Sequence, residues 1–238
     1  MRIDGRRENE LRKIEVIMDY LEYPAGSCLI KMGKTQVLCA VTVENRVPNF
    51  LVGKGQGWLT AEYSLLPAST KERTQREANT GKLTGRTQEI RRFIGRSLRP
   101  IFDLNLVGER TFIIDCDVLQ ADGGTRTAAL NGAFLALYSA IKKMWLNKSF
   151  NTFPILDFVG AVSAGVVNGQ QLLDLCYEED SQAEVDMNLV MTGRGKIIEI
   201  GATSEKLPIT KETFSSLFNL AMEGIKEIIE IEKKILNV

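Results

Sequence analysis

The amino-acid sequence predicts a single α+β domain in which mixed β-sheets pack against helices. Its 238 residues are 44% apolar, which is enough to bury a substantial hydrophobic core. Short strand-like runs and longer helical stretches are interspersed along the whole chain. No repeat or low-complexity tract divides it, and residues 147–154, the best candidate boundary, are too few for a flexible tether. We therefore expect residues 1–238 to form one domain.

Seven runs rich in β-branched and apolar residues predict strands. They are residues 36–43, 58–63, 111–119, 159–167, 172–176, 184–191 and 196–200. Gly193, Arg194 and Gly195 separate the last two runs and predict a hairpin turn.

Helices are predicted over residues 87–98, 125–144 and 210–236. In the first of these, Ile90, Phe93, Ile94 and Leu98 form an apolar stripe. The last opens with Thr210, three residues before Thr213, and carries many Glu/Lys pairs.

The composition excludes several kinds of site. The chain has no histidine, which removes serine–histidine triads, histidine-ligated zinc and histidine acid–base catalysis. Its four cysteines lack the Cys-x-x-Cys spacing of a zinc site, so we expect reduced cysteines in the core. Chemistry must therefore depend on carboxylates, lysine, arginine, hydroxyls and metal.

The net charge is formally zero, so any nucleic-acid surface must come from an uneven distribution of charge. The N-terminus is charged, and no apolar run approaches the roughly 20 residues that a membrane-spanning helix needs. We expect a soluble, cytoplasmic protein without a membrane partner.

An anion site is predicted at residues 122–127, between a strand-like run and an apolar helix. Gly123 and Gly124 let backbone amides turn toward a ligand, and Thr125 could cap the helix. The helix N-terminus and the Arg126 guanidinium both favour phosphate. The alternative is an ordinary capped strand-to-helix turn; the segment is not a P-loop, and Arg126 favours the anion site.

Residues 71–99 hold nine basic and three acidic side chains. Arg86 lies four residues before Ile90, near the apolar stripe, where an unpaired guanidinium would be costly to bury, so we expect it to face an anion or a carboxylate. Arg73 and Arg76 lie in a polar segment that could follow an RNA backbone. A polar loop without a ligand is the alternative for that segment.

Six carboxylates fall within 13 residues that contain no lysine or arginine. They are Asp174, Glu178, Glu179, Asp180, Glu184 and Asp186. In the strand predicted at 184–191, alternation places Asp186 and Asn188 on one face, and Asp180 in the preceding turn could converge on Asp186. Such oxygen ligands suit Mg²⁺ or Mn²⁺. A solvated acidic loop is the alternative.

Taken together, these segments resemble the ribonuclease PH family of phosphorolytic exoribonucleases, from the opening Met1-Arg2-x-Asp4-Gly5-Arg6 almost to the C-terminal helix. The other matching stretches are residues 57–64, 85–90, 115–118, 122–127 and 179–188, where Glu179-Asp180-Ser181 leads to Val185-Asp186-Met187-Asn188. Two positions depart from the family pattern: Ala68 stands where an arginine is usual, and Gly201-Ala202 where a Gln-Gly pair is usual.

The resemblance implies a ribonuclease PH-type fold, which is ribosomal protein S5 domain 2-like, and a homo-hexameric ring built as a trimer of dimers. It carries phosphate binding onto Arg86, Gly124, Thr125 and Arg126, and the catalytic, metal-binding carboxylates onto Asp180 and Asp186. With Arg73 and Arg76 present, we expect RNA binding to survive the loss of the arginine at position 68.

The implied activity is the phosphate-dependent removal of 3′-terminal nucleotides from tRNA precursors and other RNA, releasing nucleoside diphosphates reversibly. The competing interpretation is a non-catalytic RNA-binding ring subunit of an RNA-degrading assembly. Such subunits tend to lose the phosphate arginines or the acidic pair, whereas Arg86, Arg126, Asp180 and Asp186 are all present here. A small-molecule kinase on a related fold is a third, weaker alternative.

Overall fold

The structure, a computed structural model, describes residues 2–206 and 208–238, except for the side chains of Ala78 and Thr80. Met1, the first residue of the N-terminal motif, lies outside the described residues. The strands are β1 (Ile14–Met18), β2 (Gly26–Met32), β3 (Thr35–Glu44), β4 (Trp58–Leu65), β5 (Thr111–Gln120), β6 (Val159–Val167), β7 (Gln170–Leu173), β8 (Val185–Thr192) and β9 (Ile197–Ser204). The helices are α1 (Glu77–Thr80), α2 (Gly85–Leu98), α3 (Thr125–Leu146), α4 (Tyr177–Asp180) and α5 (Lys211–Leu236).

These strands form two sheets. The first has the order β1-β2-β3-β5-β4, in which only β4 and β5 run parallel among the described pairs. The second has the order β7-β6-β8-β9 and is antiparallel throughout. The predicted combination of mixed sheets with packed helices in an α+β fold is therefore confirmed.

Helix α3 lies between the two sheets and is the centre of the core. It contacts β2 and β3 of one sheet and β6 of the other, and most of its residues are buried. Gly132 permits this approach, since a Cβ atom there would lie 2.7 Å from the Cys39 sulfur. One continuous cluster of buried apolar side chains takes in both sheets together with α2, α3 and α5.

The four cysteines are free and buried, as the sequence predicts. Within the described residues, no helix is both long enough and apolar enough to cross a membrane. Thr210 caps α5 by accepting a 3.2 Å hydrogen bond from the Thr213 amide, and the predicted turn at Gly193–Gly195 joins β8 to β9.

Two local predictions are wrong. The strand predicted at residues 172–176 ends at Leu173, because Asp174 adopts a left-handed backbone with φ of 52° and leaves the ladder. Thr125 does not cap α3; Gly124 occupies that position with φ of 60°, and Thr125 is the first helical residue. Glycine adopts a left-handed backbone at little cost, which explains why Gly124 and not Thr125 occupies the cap position. Strands β1 and β2 and the short helices α1 and α4 were not predicted.

Candidate active site

The glycine loop, residues 122–124, leads from β5 into the N-terminus of α3. Gly123 has φ of 72°, and a Cβ atom there would lie 2.7 Å from the backbone of Leu175 and Cys176. The Thr35 hydroxyl holds this loop by donating to the Gly123 carbonyl at 2.8 Å and accepting from the Asp122 amide at 2.9 Å. The loop thus leaves the first backbone amides of α3, a 22-residue helix, free to donate to an anion at the predicted site.

The side chains that follow the glycine loop are held by neighbouring elements. The Tyr63 hydroxyl, on β4, donates to Thr125 Oγ1 at 2.9 Å. Arg126 Nη1 donates to Glu89 Oε1 of α2 at 3.1 Å, and both side chains remain partly exposed. Arg126 is therefore oriented by a carboxylate but still open to solvent.

Arg86 lies in the first turn of α2, after the cap Thr84. Contrary to the expectation that it lies near the apolar stripe, it is exposed. Its charge nevertheless reaches the site: burial raises the pKa of the Tyr63 phenol, and Arg86 and Arg126 both oppose that shift. Both guanidinium groups are therefore near enough to Tyr63 for their charges to act on its phenol.

Five of the six acidic residues separate into two groups. Asp174 and Glu179 are buried and ion-paired with Arg12 and Arg2, and Glu178 pairs with Lys71 at 3.1 Å. Asp180, at the end of α4, is exposed, and Asp186 lies half-buried on β8. Only part of the acidic run is therefore available to a ligand.

Asp180 and Asp186 influence each other electrostatically. Desolvation raises the pKa of Asp180 above its usual value, against the opposing charges of Arg86 and Arg126. Desolvation also raises the pKa of Asp186, and the Asp180 charge adds to the increase. Asp180 is therefore near enough to act on the charge of Asp186, and the convergence of the two carboxylates on one ligand stays a prediction. Asn188 lies on the same face of β8, as predicted. Its side-chain amide donates hydrogen bonds to Asp186.

A divalent cation fits this pair only with additional oxygen ligands. Among residues 2–206 and 208–238, no group of three or more His, Cys, Asp or Glu side chains is arranged to hold a metal ion. Mg²⁺ is commonly held by one or two carboxylates together with water and phosphate oxygens. The residues present fit that mode of binding.

Arg73 and Arg76 lie in the exposed segment between β4 and α2. Arg76 lines a cavity of about 1060 Å³ whose wall also includes Arg86, Tyr63 and Asp115. Arg73 does not line that cavity. Arg76 therefore shares a cavity with Arg86, whereas RNA binding by either Arg73 or Arg76 stays a prediction.

Two family models match this chain in succession. The model of the 3′ exoribonuclease family, domain 1, matches residues 10–142, and that of domain 2 matches residues 157–224. The chain belongs to the 3′ exoribonuclease family. The interval between the two matches contains residues 147–154, the boundary candidate of the sequence.

Its relatives in this family include ribonuclease PH from Syntrophomonas wolfei, 53% identical over 237 residues, which are 100% of this chain and 99% of that protein. Ribonuclease PH from Moorella thermoacetica is 52% identical over 236 residues, which are 99% of this chain and 94% of that protein. The resemblance to the ribonuclease PH family is thereby confirmed over the full chain.

Two solved structures of low sequence identity share the fold. Rice Rrp46 superposes with a TM-score of 0.79 at 20% identity, covering 99% of this chain and 100% of Rrp46. A chain of the Archaeoglobus fulgidus exosome with RNA bound to the active site superposes with a TM-score of 0.81 at 23% identity, covering 96% of this chain and 91% of that chain.

Several residues that shape the site were not singled out from the sequence. Tyr63 and Glu89 lie within stretches 57–64 and 85–90, which match the family, so the family resemblance could have identified them. Their contacts could not be predicted locally, because their partners Thr125 and Arg126 are distant along the chain. Arg12 is ion-paired in the interior, and no local pattern marks it.

Proposed function

We propose that this chain removes nucleotides from the 3′ ends of tRNA precursors and other RNA, with inorganic phosphate as the attacking group. Membership of the ribonuclease PH family makes it a phosphorolytic 3′-to-5′ exoribonuclease. The roles of individual residues, the metal, the RNA targets and the assembly are parts of the proposal. The observation that carries it is the glycine loop at the N-terminus of α3, where Tyr63 binds Thr125 and lines one cavity together with Arg86.

Phosphate is held, in this proposal, by Arg86, Arg126, Thr125 and the amides near Gly124. A helix N-terminus and two guanidinium groups supply positive charge and directed donors for an anion. Because Tyr63 donates to Thr125 Oγ1, the hydroxyl hydrogen of Thr125 is left to donate to a phosphate oxygen.

Asp180 and Asp186 would hold Mg²⁺ or Mn²⁺, which when bound offsets negative charge on the reacting phosphate oxygens. Asn188 orients the Asp186 carboxylate, whose pKa is raised mainly by desolvation and by Asp180. As an alternative role, Asp186 donates the proton to the leaving 3′ oxygen.

The reaction exchanges one bond for another. A phosphate oxygen forms a bond to the phosphorus of the last phosphodiester as the 3′ oxygen of the preceding nucleotide leaves. The products are a nucleoside diphosphate and an RNA shorter by one residue. Phosphate is already ionised near neutral pH, so the protein's task is positioning and charge stabilisation, and no histidine base is required.

Arg73 and Arg76 would neutralise phosphates of the RNA strand approaching the site, a sequence-independent contribution to affinity. We also propose that the chain works in the cytoplasm as a homo-hexamer, a trimer of dimers. Sedimentation of the purified protein tests the assembly, since a monomer at micromolar concentration would contradict it.

The deciding experiment incubates the protein with a 3′-extended tRNA and Mg²⁺, with and without inorganic phosphate. We expect nucleoside diphosphates only when phosphate is present, and polymerisation when excess nucleoside diphosphate is supplied. Monophosphates would indicate hydrolysis and contradict the proposal. RNA binding without any product would favour the non-catalytic ring subunit.

A further inference from the structure

Two surface loops make the candidate site, and both are held by one buried arginine. The glycine loop precedes α3, and the acidic loop, residues 174–180, ends at Asp180. Arg12 lies between them and is almost fully buried, as is its partner Asp174. Arg12 can therefore influence the distance between the proposed phosphate site at Gly124–Arg126 and the carboxylate of Asp180.

The guanidinium of Arg12 uses its donors on both loops. Nε and Nη2 donate to the two carboxylate oxygens of Asp174 at 3.0 and 2.6 Å, and the backbone amide of Arg12 adds a third hydrogen bond at 2.8 Å. Nη1 donates to the carbonyls of Asp122 and Gly123 at 2.6 and 3.3 Å. A planar guanidinium can bridge in this way, whereas an ammonium group cannot.

Asp174 turns the acidic loop with a left-handed backbone, at φ of 52°, which aspartate adopts more readily than most residues other than glycine. Its carbonyl accepts hydrogen bonds from Arg2 at 3.1 Å and from Arg6 at 3.0 Å. Arg2 also binds both carboxylate oxygens of Glu179, at 2.8 and 2.7 Å. Since Glu179 directly precedes Asp180, the N-terminal residues fix the end of this loop.

The two loops also touch directly. Gly123 packs against the backbone of residues 175–177, and an added Cβ atom would lie between 2.7 and 2.8 Å from three of those backbone atoms. The separation of the loops therefore depends on a position without a side chain and on the Arg12 bridge. Neither Arg12 nor Gly123 needs to touch a substrate to have this effect.

We propose that Arg12 is a positioning residue, which sets the distance between the phosphate site at Gly124–Arg126 and the carboxylate of Asp180. The inference rests on the proposed function of those residues. A shift of about 1 Å between groups that act together in catalysis can cost about a hundredfold in rate.

The test uses Arg12→Lys, which keeps the charge but loses the bridge, and Arg7→Ala as the matched control. Arg7 lies on the same segment, and its side chain is 84% exposed. For Arg12→Lys we expect kcat to fall at least about tenfold. We also expect the Mg²⁺ concentration for half-maximal activity and the KM for phosphate to rise. Arg7→Ala should match the unsubstituted protein.

A purely structural role predicts another pattern. Loss of folded protein lowers kcat in proportion to the active fraction but leaves the KM for phosphate and the Mg²⁺ requirement unchanged. That result with Arg12→Lys would overturn the proposal. If Arg12→Lys does not fold, Gly123→Ala, which pushes the same loops apart but keeps the side chains of Arg12 and Asp174, must reproduce the changes in both constants.

A third measurement needs neither RNA nor a substitution. In the unsubstituted protein, inorganic phosphate alone should slow amide hydrogen exchange in residues 175–180 several-fold, because the glycine loop and the acidic loop are held together. Absence of that protection, with phosphate bound by calorimetry, would contradict the proposal. Failure of the proposed function is distinguishable, since it would show as an absence of nucleoside diphosphates whatever the exchange result.

Discussion

The side-chain amide of Asn188 donates to both carboxylate oxygens of Asp186, at 3.3 and 3.2 Å. The two residues lie on the same face of β8, and Asn188 is only 8% exposed. A buried amide in this position restricts the rotation of a carboxylate that is itself half-buried. Loss of the Asn188 amide would leave the Asp186 carboxylate in place but free to rotate.

We predict that Asn188→Ala lowers kcat about ten- to a hundredfold and raises the Mg²⁺ concentration needed for half-maximal activity, as partners of metal-binding carboxylates commonly do. Phosphorolysis measured across a range of Mg²⁺ concentrations checks both. The exposed Asn219→Ala on α5 is the control. An unchanged Mg²⁺ requirement in Asn188→Ala would show that Asp186 is not oriented for a cation by this amide.

The Arg126–Glu89 ion pair predicts an effect on phosphate affinity. Glu89→Gln keeps a hydrogen-bond acceptor for Arg126 but removes a competing negative charge. We expect the KM for phosphate to fall about two- to threefold at low salt, and the difference to shrink as added salt screens this partly exposed pair. Glu223→Gln removes a charge from another surface ion pair and should have no effect. A rise in KM for Glu89→Gln would mean that the full charge is needed to orient Arg126.

Arg73 and Arg76 predict salt-dependent RNA binding. Replacing either with alanine should weaken RNA binding and reduce the slope of log affinity against log salt by about 0.7 to 0.9 for each lost phosphate contact. The KM for phosphate should not change in Arg73→Ala, because Arg73 does not line the cavity that includes Arg86. Filter binding at several salt concentrations measures the slope, with the exposed Arg194→Ala as control. Equal slopes for all variants would place the RNA elsewhere.

Glu232 predicts a pH-dependent stability. Both of its carboxylate oxygens are buried, neither has a hydrogen-bond partner among the described residues, and burial raises its pKa well above the ordinary 4.5. The folded state therefore binds a proton more tightly than the unfolded state. This contribution to stability is fully present below pH 4.5 and is lost progressively as the pH rises above that value.

We therefore expect Glu232→Met, which removes the unsatisfied polar group, to raise the free energy of unfolding by about 1–3 kcal/mol at pH 8 and by less at pH 5. Urea denaturation at both pH values measures the difference. Glu230→Gln, on the exposed face of the same helix, is the control because the pKa of Glu230 is lowered by its hydrogen bond to Lys233. A gain that does not depend on pH would indicate that Glu232 is not protonated on folding.

Much of the fold was determined by the sequence itself. The run at residues 159–167 coincides with β6, and the helices predicted at 87–98 and 210–236 match α2 and α5 within two residues at each end. These segments have strong local periodicity or a clear cap such as Thr210, so local physical chemistry is sufficient. Strand β1 is short and half exposed, and β2 begins at Gly26, a residue that is depleted in strands, so neither has a strong local signal.

The candidate residues of the site were likewise identified from the sequence, through motifs whose chemistry suits phosphate and divalent cations. Their arrangement was decided only by the tertiary structure. Arg126 meets Glu89, Thr125 meets Tyr63, and Arg12 joins Asp174 to the glycine loop across 110 to 162 positions of sequence. Burial strengthens such ion pairs and hydrogen bonds because water and salt screen them less. The burial itself depends on how the two sheets pack around α3. For that reason the sequence alone determined which groups are available, and the packed chain determined how far apart they are held.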